Sequence, residues 1–454
     1  MKSYDVLTIG GGPAGITIAK ILGNKMKVGI VRPEDHSMVY CAMPYVIEDI
    51  IPKEKTFKKD ELVTGSGAEL LRGTVTKVSF DDKTVTFNNG TSCKYDKLII
   101  ATGADPILPP ISGTDLKGVH TFKTGDDLDL LESAVREQKT RKVVVVGAGA
   151  IGVELCQALN KVTQECHLVD IAGSVLPNLI DVDFSKDVQG ELEALAVILH
   201  LNSKVTEING TQSVENVLLD NGETISLGKA GVVVFAVGMR ANTDLFKNTS
   251  LKVEKQGIVI NSRMETNIKD VYAVGDCAQF ISGITGKVVL GKLATNAVPM
   301  ARMLAKNLLG DVRIYKGFYN GAATKVGRYF VGGTGFTEAV LADEFDTVTG
   351  HSELTTMFPI MPDSRMIKMK LIADGSSLRV LGGQVIGEAP VTDKVDIITL
   401  AIQHNLTARD LAEFSYSAQP YQSFFPANNL IVACAEDILR DASRFPKRIR
   451  PISR

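Results

Sequence analysis

The sequence predicts an α/β chain with two Rossmann-like units followed by a C-terminal part of α+β character. Three observations carry this. A strand, a glycine loop and a helix open the chain, the same unit recurs near residue 142, and the pattern changes character from about residue 324.

Residues 5–9 (Asp5-Val6-Leu7-Thr8-Ile9) read as a short buried strand, and Gly10-Gly11-Gly12-Pro13-Ala14-Gly15 follows at once. Ile16, Ile18, Ala19, Ile21 and Leu22 then give the apolar face of a helix. In such a unit Gly10 permits the tight turn, Gly12 lets a pyrophosphate approach the backbone, and Gly15 lets the helix pack on the strand. The helix N-terminus offers free N–H groups and a positive dipole end to phosphates. The next strand, 28–31, ends in Arg32, where an acid is expected. Glu34 could take the ribose contact from two residues on, or the ribose could be held otherwise.

The second unit begins with Lys142-Val143-Val144-Val145-Val146 and continues through Gly147-Ala148-Gly149-Ala150-Ile151-Gly152 into an apolar helix that includes Glu154. Its following strand, 166–169, ends in Asp170, the place for an acid on a ribose 2′-hydroxyl. No Arg or Lys stands between Ile171 and Leu176 to meet a 2′-phosphate, so NADH is expected in preference to NADPH.

Three further runs fit nucleotide binding. Residues 98–103 end in Ala101, Thr102 and Gly103, and residues 232–238 end in Val237 and Gly238, small residues suited to close approach of a ligand to backbone. Residues 271–276 deliver Gly275 and Asp276 at the carboxyl end of a strand, where ligands of open α/β sheets sit. Val75 completes the set of cofactor-binding candidates. Two loops imply two dinucleotides, FAD and NAD(P)H.

Cys41 lies about thirty residues after the first glycine loop, and no second cysteine follows until Cys93. Redox chemistry at this position therefore uses one thiol, with the flavin or the substrate as its partner. Pro44 suits a first helical turn, which places Cys41 before a helix N-terminus, where the dipole favours a thiolate. The alternative is a small buried hydrophobe at a helix start, as in reductases that serve an electron carrier such as rubredoxin without a catalytic thiol.

These residues together resemble the pyridine nucleotide–disulfide oxidoreductase family. They are closest in kind to its single-cysteine branch of coenzyme A disulfide reductases, NADH oxidases, NADH peroxidases and polysulfide reductases. The resemblance spans essentially the whole chain. Cys41-Ala42-Met43-Pro44-Tyr45 is similar to the Cys-Ala-Leu-Pro-Tyr of the coenzyme A disulfide reductases. The resemblance implies that Asp276 reaches the flavin ribityl chain and that Leu293-Ala294-Thr295-Asn296-Ala297 opens a helix beside the flavin ring. It also implies that Tyr421, in Tyr416-Ser417-Ala418-Gln419-Pro420-Tyr421, reaches the partner subunit's cysteine in a homodimer. Tyr45 is a second phenol candidate for catalysis if it faces the site.

Departures from the family pattern narrow the reaction. Pro13 stands where oxidases and peroxidases carry a histidine, which counts against oxygen or peroxide as acceptor. Only Lys20 stands in the body of the first helix, which counts against coenzyme A phosphates there. The histidine–glutamate pair of two-cysteine enzymes has no match: His351 and His404 are the histidines of the last third, without a glutamate at the required spacing.

The first loop and Asp276 both serve FAD in the resembled family, with the NAD unit between them. The expected domains are therefore 1–112 with 244–323 for FAD, 113–243 for NAD(P)H, and 324–454 for dimerisation. In the last, residues 323–327, 329–333 and 366–372 read as strands of an antiparallel sheet, and 395–403 and 430–439 as helices.

The chain has 454 residues and a formal charge of −2, with no polyanion-binding signature, so neither nucleic acid nor membrane is expected as a partner. The longest apolar runs are too short and too rich in glycine to span a bilayer. Residues 1–9 are already the first strand, and no signal peptide is expected before it. Six cysteines without paired or metal-ligand spacing fit a reducing cytoplasm. Cys93, Cys156, Cys166 and Cys434 read as inert buried thiols, Cys277 as structural, and the basic tail (Arg440, Arg444, Lys447, Arg448, Arg450, Arg454) as a solvated end.

The expected function is an FAD-dependent, NADH-preferring oxidoreductase whose Cys41 reduces a small disulfide, persulfide or polysulfide. The alternatives are an NADH oxidase or peroxidase cycling through a cysteine sulfenic acid, and an NADH-dependent reductase of an electron-carrier protein. No metal is expected.

Overall fold

The computed structural model describes residues 1–137, 141–342 and 344–444. Lys447, Arg448, Arg450 and Arg454 of the basic tail lie outside the described residues. The chain divides into two compact units: Met1–Ile107 with Lys123–Leu128 and Gly238–Phe318, and Leu108–Phe122 with Asp129–Val237 and the chain from Tyr319 onward.

In the first unit, strand Lys2–Ile9 pairs in parallel with Val28–Arg32 on one side and Ser92–Ile100 on the other. Glu69–Arg72 extends the sheet beyond Val28–Arg32, also in parallel. Val271–Ala273, from far down the chain, pairs with the end of Ser92–Ile100. Parallel strands covered on both faces read as continuous apolar runs, as 98–100 do. The ends of three parallel strands thereby carry Gly10, Ala101 and, after Val274, Gly275. The other end of the sheet turns antiparallel through Thr84–Phe87 and the edge strand Val75–Ser79, which carries Val75.

Helix Pro13–Leu22 buries Ile16, Ile18, Ala19 and Leu22 and packs on helix Ala294–Leu308. Burying each large aliphatic side chain contributes about 1.5–3 kcal/mol. That exceeds the few tenths of a kcal/mol, at most about 0.7, by which ordinary residues differ in helix propensity. Packing, not propensity, sets this helix.

In the second unit five parallel strands run in the order Val119–Thr121, Val232–Phe235, Lys142–Val146, Glu165–Val169, Val197–His200. Helix Ala150–Val162 packs against this sheet. A small antiparallel sheet, Val205–Asn209, Asn216–Leu219 and Thr224–Ser226, is attached. The C-terminal part is a five-stranded antiparallel sheet ordered Ala322–Val326, Tyr329–Gly335, Val380–Gly387, Met366–Asp374, Thr347–Thr355. Helices Thr392–Gln403 and Leu430–Arg444 pack on it. The expected strands and helices here are found, and Thr347–Thr355 and Val380–Gly387 are additional.

Lys370 ties the two parts of this unit together. Its buried Nζ lies 3.1 Å from Asp181, 3.2 Å from Asp183 and in contact with Glu338. Asp181 also accepts from Gln384 Nε2 at 2.6 Å. Burial alone would lower the Lys370 ammonium; its carboxylate partners more than offset this and raise it above its ordinary value.

Among the described residues no helix is long and apolar enough to cross a membrane, and no cluster of His, Cys, Asp and Glu could hold a metal.

Candidate active site

The two glycine loops are built alike, residue for residue. Gly10 has φ +123° and Gly147 φ +110°, a region that only glycine enters freely. A Cβ on Gly10 would strike the Ala101 carbonyl oxygen, and one on Gly147 would lie 2.5 Å from the Ala236 carbonyl oxygen. A Cβ on Gly15 would strike the Gly10 oxygen, and one on Gly152 the Gly147 oxygen. The middle glycines differ from these: a Cβ on Gly12 or on Gly149 meets nothing within 4 Å. Each middle glycine thus precedes a helix, as N-cap, with open space on the side where an anion is favoured. These cradles fit the pyrophosphates of two dinucleotides.

In the first unit the strand ends converge around the first cradle. Pro13 stands in the first turn of the helix. A Cβ on Gly275 would lie 3.2 Å from Ala297 Cβ and 3.8 Å from Ala14 Cβ, so the Asp276 backbone sits against both helices. Asp276 Oδ1 is buried with no hydrogen-bond partner in the protein. Burial pushes the Asp276 carboxyl up from its ordinary value, and Lys123 and Lys292 pull it down. A buried acceptor left open beside a phosphate cradle fits a polyol chain such as the FAD ribityl. Ala294 and Thr295 are exposed at the first turn of Ala294–Leu308. Thr102 Oγ1 donates to the Asn242 carbonyl at 2.6 Å, and Gly103 adopts φ +74° with open space at its Cβ position.

Arg32 has a task of its own. Its buried guanidinium donates to the Glu34 carbonyl at 3.0 Å, the Asp35 carbonyl at 2.9 Å and Asp60 Oδ1 at 2.5 Å. Arg72 holds the same two carbonyls and the other Asp60 oxygen. Burial alone would raise the Asp60 carboxyl; the two guanidinium groups more than offset this and hold it low. The clamp fixes the backbone of residues 34–35 and leaves the Glu34 and Asp35 side chains exposed.

Cys41 lies in the one-turn helix Tyr40–Ala42, directly before helix Met43–Ile47, which has Pro44 in its first turn. Cys41 is exposed, and the other five cysteines are buried. The reading of Cys41 as a buried small hydrophobe is excluded. Strand Phe57–Lys58 pairs with Ser37–Met38 just before it. Burial pulls the half-buried Lys58 ammonium below its ordinary value; the sulfur of Cys41 pushes it up, and Lys20 pushes it down. Strand pairing thus brings Lys58 near enough for its charge to act on the Cys41 sulfur, and helix Met43–Ile47 is too short to supply much. Tyr45 is half-buried on that helix. The Lys123 ammonium lies 5.0 Å over the Tyr40 ring and also acts on Asp276, which links the Cys41 segment to the Asp276 pocket.

In the second unit, Asp170 Oδ2 accepts from the Ala148 N–H at 2.5 Å and Oδ1 from the Ala172 N–H at 2.7 Å. Asp170 thus buttresses the glycine loop from the neighbouring strand. Ala150 is exposed, Ile151 is 46 % exposed and Val237 37 % exposed, an apolar fringe beside the cradle. Glu154 accepts from Thr324 Oγ1 at 2.6 Å. Gly238 falls in the first unit, where its carbonyl accepts from the Ile107 N–H at 3.0 Å. Tyr421 is 59 % exposed in a loop of the second unit. Val75 is partly buried at the start of strand Val75–Ser79, packed against the core of the first unit. Sequence reasoning missed Lys58, Lys123, Lys292, Asp60 and Arg72, since nothing in a linear pattern separates them from solvated charges.

The description "Pyridine nucleotide-disulphide oxidoreductase" matches residues 4–301 and its dimerisation domain matches residues 322–424. The chain belongs to this family. It is an FAD-dependent pyridine nucleotide oxidoreductase with a C-terminal dimerisation domain. A NADH oxidase of Methanocaldococcus jannaschii is 31% identical over 459 residues, covering 96% of this chain and 99% of that protein. A CoA-dependent NAD(P)H sulfur oxidoreductase of Pyrococcus furiosus is 30% identical over 90% of this chain and 94% of its own. Among solved structures, reduced Bacillus anthracis CoADR-RHD aligns with a TM-score of 0.91 at 26% identity, over 98% of this chain and 82% of that one. A NAD-dependent persulfide reductase from A. fulgidus aligns at 0.90 and 25%, over 97% and 84%. The expected fold class and enzyme class are borne out.

Proposed function

We propose that this protein carries electrons from NADH, through FAD, to a small disulfide, persulfide or polysulfide, with Cys41 as the attacking thiol. One observation carries the reading: of six cysteines only Cys41 is exposed, and it stands directly before a helix start. The sulfur and persulfide acceptors named for the Pyrococcus and A. fulgidus proteins support the same class of substrate.

In this reading FAD lies on residues 1–112 and 244–323, with Gly10, Gly12, Pro13, Ala14 and Gly15 at its pyrophosphate, Glu34 at a ribose and Asp276 at the ribityl chain. NADH lies on 113–243, with Gly147–Gly152 and Asp170 at its adenosine half. Residues 324–454 join two copies as a homodimer, and a reducing cytoplasm keeps Cys41 active. FAD, when bound, supplies the two-electron link between NADH and Cys41. The Cys41 thiolate attacks one sulfur of the substrate, the S–S bond breaks, and the other half leaves as a thiolate. Lys58 stabilises the attacking thiolate, and Tyr45 and Tyr421 of the partner subunit are the candidate donors of the proton that the leaving thiolate takes. The half left on Cys41 as a mixed disulfide departs as a thiol when two electrons and one proton arrive, restoring the Cys41 thiolate.

A second reading, an NADH oxidase that cycles Cys41 through sulfenic acid, is favoured by the Methanocaldococcus relative and opposed by Pro13. Anaerobic NADH oxidation with a small disulfide or polysulfide tests the first. Cys41→Ser is expected to keep its flavin and lose turnover by about three orders of magnitude, as when a covalent nucleophile is removed. Sulfur reduction undiminished in Cys41→Ser overturns the assignment, and loss of the flavin indicates a packing role.

A further inference from the structure

Cys156 lies on helix Ala150–Val162 and Cys166 on strand Glu165–Val169, joined by the short turn at Thr163 and Gln164. Both side chains are fully buried, and their sulfur atoms are 3.1 Å apart. Non-bonded carbon atoms rest about 3.5–4.0 Å apart, and sulfur is larger, so this pair is pressed inside ordinary contact. Cys166 Sγ also donates to the Cys156 carbonyl at 3.5 Å; Cys277 and Cys434 likewise donate to backbone carbonyls, to Ile100 and Val274 and to Met369, but neither has a second sulfur as its partner among the described residues. Cys156 and Cys166 are set against each other by the helix that follows the second glycine loop and by the strand after that helix.

We propose that Cys156 and Cys166 are a second thiol–disulfide centre, distinct from Cys41, which closes to a disulfide when a small-molecule disulfide reaches it. One cysteine sulfur attacks the reagent, breaking its S–S bond and expelling one thiol. The second cysteine sulfur then displaces the other reagent half. The protein loses two thiol protons and two electrons and gains one S–S bond, and the reagent becomes two thiols. Burial and the neighbouring Cys156 hold the Cys166 thiol well above its ordinary pKa, which keeps Cys166 protonated and slow to react at rest. Once formed, the bond ties the helix that begins at Gly149 to the strand that ends at Asp170. The Asp170–Ala148 hydrogen bond already joins the end of this strand to the glycine loop that precedes the helix.

The test uses the FAD-loaded Cys41→Ser protein, which retains five of the six cysteines, treated with either dithiothreitol or oxidised glutathione. It is then denatured in an alkylating agent without reductant and weighed. Five alkylated thiols after dithiothreitol and three after oxidised glutathione, with a Cys156–Cys166 cross-linked peptide, are expected. The oxidised form is also expected to melt higher than the reduced, a difference absent in Cys156→Ala. Five free thiols under both treatments, or glutathione adducts on single cysteines in place of the cross-link, overturn the proposal. The wild-type holoenzyme, with Cys41 located by its own adduct, gives the same reading if the variant is poorly folded.

Discussion

The second glycine loop can be taken apart by two substitutions that look alike in sequence. Gly149→Ala places a methyl where nothing lies within 4 Å, on backbone at φ −72° and ψ 177° that alanine adopts freely. Removing a glycine from the unfolded chain then stabilises by about 0.4–1 kcal/mol. Gly152→Ala drives its methyl into the Gly147 carbonyl oxygen, and overpacking of this kind costs about 1–3 kcal/mol. Nucleotide binding is expected to follow the reverse order of harm. The methyl of Gly149→Ala fills the space proposed for the pyrophosphate, and a tenfold weaker NADH affinity, about 1.4 kcal/mol, is the smallest loss expected. Purified variants would be compared for flavin content, melting temperature and NADH dissociation constant from the reductive half-reaction. Gly149→Ala should keep FAD, melt at or above the wild type and bind NADH poorly; Gly152→Ala should melt lower. Wild-type NADH affinity in a folded Gly149→Ala protein would refute the reasoning, because the cradle would then not hold the dinucleotide.

Three further outcomes follow from the charges. Replacing Lys58 by Met should slow alkylation of Cys41 at neutral pH by roughly fivefold, the equivalent of about 1 kcal/mol of attraction between charges near a protein surface, and Lys58→Arg should recover most of it; an unchanged rate would remove Lys58 from the site. Lys370→Met should lower stability to chemical denaturation by about 3–5 kcal/mol, since it leaves the buried Asp181 carboxylate without its cation; a loss under about 1 kcal/mol would mean that Gln384 alone satisfies Asp181. Burial depresses His167 below its ordinary value, with Glu165 opposing and His200 and Lys142 adding to the fall, so the unfolded chain takes up this proton first. Its stability is full above about pH 6.5, the ordinary histidine value, and is lost as pH falls through the folded value; His167→Gln should flatten that part of the stability profile, and an unaltered profile would assign it elsewhere.

What could be read from the sequence was local. A glycine loop declares itself because strand, turn and helix are contiguous, and each glycine answers to an atom a few residues away or on the next strand. Strand Val380–Gly387 was not legible, because its Gly382, Gly383 and Gly387 weaken any strand signal. The structure gives the reason: a Cβ on Gly382 would meet the Phe336 carbonyl, and one on Gly383 would lie 2.9 Å from Ile398 on the covering helix. These glycines are set by packing partners that no window of sequence contains.

The same distinction explains the charged residues. Arg32 stood where an acid was expected, and taken alone it looked like a defect in the nucleotide motif. Asp60 and Arg72, from separate elements, turn it into a clamp on the backbone of residues 34–35 that presents Glu34. Lys58 is invisible for a related reason, since only strand pairing with Ser37–Met38 brings it to the Cys41 segment. The motif residues set which cofactors the chain can hold. In the proposed site, the reactivity of Cys41 and the seating of a ribose depend on long-range partners that local spacing does not encode. Chemistry at Cys41 should therefore respond to Lys58, which lies outside the Cys-Ala-Met-Pro-Tyr motif, as well as to Tyr45 within it.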